Sequence, residues 1–140
     1  MTQLPNGPDE KQSGYGARYD YRVDIMRRRN LVTASHGENV LGRSERTLLV
    51  DEQNHGLVFY FPRADVALDL LDFIPDRSSY CPYKGEASYW RLANGGGEPL
   101  AWAYDRPYPE VAQIAGHIAF YQDRVTVALG VATYLRDKAP

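Results

Sequence analysis

The chain has 140 residues, 44% hydrophobic and 24% charged, which suits a single domain whose core needs neither a disulfide nor a structural metal. Sixteen basic against eighteen acidic residues leave a net charge of -2, so there is no general attraction to a nucleic-acid backbone or an anionic membrane surface. One cysteine forbids an internal disulfide, and with three dispersed histidines it excludes four-cysteine zinc sites and paired redox motifs; a cytoplasmic setting is the default expectation.

Residues 1–20 have the composition of a flexible polar leader and lack a signal-peptide pattern, so the folded domain is expected over 21–131, followed by a tail at 132–140. Tyr21, Val23 and Ile25 alternate with polar neighbours and predict a first strand; residues 31–34 predict a second. Between them Arg27, Arg28 and Arg29 form the one basic run, read as a solvated strand end, with a phosphate-binding patch as the lesser alternative. A turn at 36–39, short strands at 40–43 and 47–50, and turn chemistry at Asn54, His55 and Gly56 follow, with 57–61 returning to close a hairpin.

Pro62 ends that strand and suits the start of a helix, which the spacing predicts over 63–73. Val66, Leu70 and Phe73 would share its apolar face, and Asp65, Asp69, Asp72 and Asp76 its polar one. Four aspartates along a stripe do not converge, so no metal site is expected from them. After a loop at 75–79, residues 86–93 and 99–104 read as strands joined by the glycine turn Asn94, Gly95, Gly96 and Gly97, which lacks phosphate-loop spacing. One or two helical turns at 109–115 and a last hairpin pairing 117–121 with 125–129 complete the chain. The apolar stretch 125–132 is far below the roughly 18 residues of a membrane helix. The sum is a mainly β, antiparallel domain with one short helix near residues 63–73.

Residues 80–108 concentrate the chemistry, with Tyr80, Tyr83, Tyr89, Trp90, Trp102, Tyr104 and Tyr108 beside Cys81 and Lys84. Lys84 is the single lysine of the expected domain body. Four segments, residues 59–66, 81–90, 101–104 with Pro107, and 114–121, resemble in order the bacterial domain-of-unknown-function family 427, which carries a nucleotidyltransferase label without an established reaction. The resemblance spans residues 21–129. It implies a small fold of two antiparallel sheets meeting like a tent or an open barrel, and assigns no cofactor. Residues 36–44 look longer than the family's early hairpin, which leaves any role of Ser44 open.

Flat aromatics joined to a few fixed polar groups describe small-ligand sites. Tyr60, Arg63, Cys81, Lys84, Trp102 and Tyr104 are the candidate ligand-binding set, the cations facing an anionic group and the rings a flat body. Enzymatic alternatives stay open. Lys84 in a tight turn with Cys81 would favour the thiolate, with His117 as a base; Asp65 and Asp69 would serve metal-dependent nucleotidyl transfer, for which no Asp-x-Asp pair is present. Trp90 with Arg91, and Tyr104 with Arg106, suit single-stranded nucleic acid, which the acidic balance opposes.

Overall fold

A computed structural model describes residues 13–132. Residues 1–12 of the expected leader and 133–140 of the expected tail lie outside the described residues. Ten strands are described: β1 (Val23–Arg27), β2 (Asn30–His36), β3 (Asn39–Ser44), β4 (Leu48–Glu52), β5 (Leu57–Pro62), β6 (Leu71–Cys81), β7 (Gly85–Leu92), β8 (Ala101–Ala103), β9 (His117–Phe120) and β10 (Thr126–Ala132). They form a seven-stranded sheet in the order β1-β4-β5-β9-β8-β7-β6 and a three-stranded sheet in the order β10-β2-β3, every pair antiparallel. The mainly β, two-sheet expectation holds, and the large sheet remains open.

The two-residue period of the strands sorts the side chains onto two faces. One face of the large sheet carries Phe61, Trp90, Ala101, Ile118 and Phe120, which pack with Val32, Ala34 and Leu41 of the small sheet in one core. Gly42 of β3 makes this packing possible, because a Cβ there would lie 3.1 Å from the Phe61 ring and 3.2 Å from that of Phe120. The opposite face carries Leu48, Val50, Tyr60, Tyr104 and Ala119, covered by Val111 and Ile114 of the 3-10 segment Pro109–Ile114. Cross-strand pairing aligns Leu48, Tyr60, Ala119, Trp102 and Tyr89 in one row across five strands of this second face.

Two sequence expectations are corrected. The helix near residues 63–73 is absent: Arg63–Asp65 and Leu68–Leu70 are single 3-10 turns, and Leu71 already begins β6. The backbone there bonds outward instead of along a helix, with Ala67 N–H donating to Leu41 O at 2.8 Å and Ala93 N–H to Leu70 O at 2.9 Å. Asp65 is drawn toward β3 by the Ser44 hydroxyl at 2.6 Å. Tertiary pairing has overridden a helical spacing, and the expected loop at 75–79 lies inside β6, across an irregularity in its pairing with β7.

The last hairpin is the second correction. β9 already has β5 and β8 as partners, so the following strand has no free edge to join. The turn at 121–125 carries the chain to the small sheet instead, where β10 pairs with β2.

Candidate functional site

The β6–β7 hairpin turns on Pro82, Tyr83 and Lys84, with Lys84 N–H donating to Cys81 O at 3.3 Å. Gly85 follows at φ +122°, and a Cβ on it would lie 3.2 Å from Arg106 O. Only glycine accepts that backbone at so close an approach. Tyr108 N–H then donates to Lys84 O at 3.0 Å, which fixes the turn from the other side.

Held in this way, the Lys84 side chain is buried and its Nζ donates to Glu52 Oε1 at the end of β4. In sheet order β5, β9 and β8 stand between β4 and β7. Laid flat, four steps at about 4.8 Å would separate those strands by roughly 19 Å. Contact between Lys84 and Glu52 therefore requires the large sheet to curl into a trough, whose two limbs the ion pair ties together. Glu52 Oε2 also accepts from the Tyr21 hydroxyl and has His55 Nε2 at 3.6 Å. Desolvation pushes the Glu52 carboxyl up, but hydrogen bonds from Lys84 and Tyr21 and the ammonium charge outweigh it and hold the carboxyl below its ordinary range.

The second link across the trough is aromatic. Tyr21 stacks on Tyr83 with ring centres 3.6 Å apart and planes at 10°, and Tyr15 meets Tyr83 edge-on at 5.2 Å. Gly14 N–H donates to Pro82 O at 2.7 Å and Tyr15 O–H to Tyr83 O at 3.0 Å. The described part of the expected leader is thus seated on the turn that carries Lys84.

Inside the trough lies a cleft of about 560 Å³ lined by eight aromatic side chains, seven of them tyrosines, with Val50, Val58, Cys81, Glu52 and Lys84. That size falls within the range of small-molecule sites. Trp102 Nε1–H donates to the Tyr60 hydroxyl at 3.2 Å, and the small Ala119 between them in the row leaves the space for it. Trp102 also packs on Tyr121 at 4.7 Å. Burial pushes the Tyr60 and Tyr104 hydroxyls above the usual phenol range, and burial with Tyr89 nearby pushes Tyr121 up to about 12. These phenols are neutral at physiological pH.

Of the six candidate residues, Tyr60, Cys81, Lys84, Trp102 and Tyr104 line this one cleft. Arg63 does not: its guanidinium lies 5.2 Å from the Trp90 ring centre, on the inter-sheet side, and 3.8 Å from Asp105. Sequence reasoning missed Glu52 and Tyr21. A signal for Glu52 was present, since Leu48 and Val50 set the inward phase of β4 and Glu52 continues it. Asp65, the first carboxylate of a metal reading, is engaged by Ser44 and by Arg46 at 3.1 and 3.3 Å. Among the described residues no three His, Cys, Asp or Glu side chains converge as a metal site, and no helix is long and apolar enough to cross a membrane.

Residues 22–130 match the model of a family described as a domain of unknown function (DUF427), with the label NTP_transf_9. No curated protein matches the chain.

Proposed function

The chain belongs to the DUF427 family, and from that premise, which brings a fold but no established reaction, we propose that the protein binds a flat, uncharged small molecule in the aromatic cleft. The observation that carries this reading is the buried Lys84–Glu52 pair in the wall of a cleft lined by eight rings. An ammonium already bonded to a carboxylate offers no free charge to an anionic ligand, and the phenols whose protons burial holds in place add donors without charge. A polarised but neutral wall suits a ligand with an aromatic or apolar body and a few hydrogen-bonding edges. A cytoplasmic setting belongs to the same reading.

A thermal-shift screen of uncharged aromatic and heterocyclic metabolites tests it, because a ligand that binds only the folded state raises the melting temperature. Stabilisation by such compounds in the native protein, lost when Trp102 is replaced by Ala, is the expected result. Stabilisation restricted to anionic compounds would contradict it.

A further inference from the structure

A second concavity, of about 590 Å³, opens at the Leu48 end of β4, four residues from the Glu52 end that borders the aromatic cleft. It gathers residues far apart in sequence. Arg27 ends β1, Arg28 and Arg29 form the link to β2, Arg46 lies between β3 and β4, and His117 begins β9. Among the described residues four guanidiniums thus share a cleft with Glu45 as the one carboxylate in its lining, in a chain whose overall charge is negative.

These cations are not equivalent. Arg46 is held by Asp65 through two contacts, and Arg29 and Glu45 have protein contacts of their own. The Arg27 and Arg28 side chains make no protein hydrogen bond or ion pair among the described residues. Their backbone is nevertheless anchored, since Arg28 N–H donates to Thr47 O at 2.9 Å and the Arg27 backbone pairs with Leu48. His117 Nδ1–H donates to Ala115 O at 2.9 Å, so that Nε2 becomes a donor to an oxyanion when the ring carries its second proton. Anchored backbone under unpaired planar forks lowers the ordering cost of binding an oxyanion. Two arginines in a concavity with no counter-ion among the described residues also concentrate positive potential there despite the net charge of the chain.

We infer that this arginine cleft is a binding site for the phosphate groups of a small ligand that carries two or more of them. Two free guanidiniums, with Arg46 and His117 beside them, exceed what a single phosphate occupies, and each fork can meet phosphate oxygens bidentately. The sequence pattern alone favoured a solvated strand end; what changes the weight is the convergence of Arg46 and His117 on the same cleft. The inference concerns a second site and does not depend on what the aromatic cleft binds.

Calorimetric titration of the full chain with inorganic tripolyphosphate, pyrophosphate and orthophosphate tests it. Saturable binding of tripolyphosphate is expected, stronger than that of orthophosphate and weakening with added salt. The double variant Arg27→Gln, Arg28→Gln should bind about tenfold more weakly or worse, while Trp102→Ala should bind as the native chain does. Both arginines are exposed, so the double variant should melt with the native protein, which separates lost binding from lost folding. Absence of saturable binding, or undiminished binding by the double variant, overturns the inference. Tighter binding of a single-stranded oligonucleotide, growing with its length, also overturns it, in favour of a nucleic-acid track.

Discussion

Lys84 and Glu52, thirty-two positions apart in sequence and on opposite limbs of the curled seven-stranded sheet, form a buried ion pair with Tyr21 as a third member. The pair joins two roles. It closes the trough that shapes the aromatic cleft, and it cancels the one ammonium that the described residues bring to the cleft lining.

Removing one partner should cost more than removing both. Lys84→Met leaves the Glu52 carboxylate buried without its counter-ion, and a loss of about 3–5 kcal/mol is expected. Adding Glu52→Gln to Lys84→Met should recover part of that loss. Urea unfolding of the two single variants and the double variant gives the coupling directly; additive losses would show that the two side chains do not support each other.

The acid limb of stability should depend on Glu52. Its folded-state carboxyl titrates below its ordinary range, so its contribution is complete above the ordinary carboxylate pKa and is lost as pH falls through the depressed folded value. Unfolding free energies measured from pH 7 downward should therefore fall more steeply for the native protein than for Glu52→Gln. Parallel curves would show that the Glu52 carboxylate contributes nothing to the acid limb. Asp65, held low by Arg46 and Ser44 against the opposing effect of desolvation, adds a similar but weaker slope because it lies closer to solvent.

Trp102 should report ligand binding by fluorescence. The chain has two tryptophans, of which Trp102 lines the cleft and Trp90 packs in the inter-sheet core. A cleft ligand should change the emission of Trp90→Phe and leave that of Trp102→Phe unaltered. Trp102→Phe also loses the bond to the Tyr60 hydroxyl, a cost of about 1 kcal/mol.

Gly85→Ala should damage the site through the backbone. At φ +122° an alanine is strained by about 1–3 kcal/mol, and its Cβ presses on Arg106 O. Thermal unfolding should shift down, and the Tyr21–Tyr83 stack should loosen with the displaced turn. Replacement of Gly96, at φ +61° with nothing near its Cβ, should cost less and leave the cleft intact.

Much of the fold can be read from local alternation. The strand phase of Tyr21, Val23 and Ile25 carries its own two-residue signal, whereas residues 57–61 are a continuous apolar run set off by turn residues at 54–56. Residues 63–73 carry a misleading signal. Val66, Leu70 and Phe73 are spaced as on a helix, but Val66 bridges Gly42 and Phe73 pairs with Trp90, contacts that no local pattern encodes. The site was legible as a concentration of rings near Lys84. Its electrostatic character was not, because that rests on Glu52, whose distance from Lys84 is set by how far three intervening strands curl. Arg63 falls outside the cleft for the same reason, since its side depends on the phase in which β5 ends.

A two-dimensional NMR titration of the native protein with a library of uncharged aromatic fragments locates ligand binding residue by residue. Fragments that bind should perturb the Trp102 indole N–H and the backbone amides of Cys81, Lys84 and Tyr104 together, while the Trp90 indole N–H stays in place. Perturbations that gather elsewhere, or none from any fragment while anionic compounds shift Lys84, would contradict binding in the aromatic cleft.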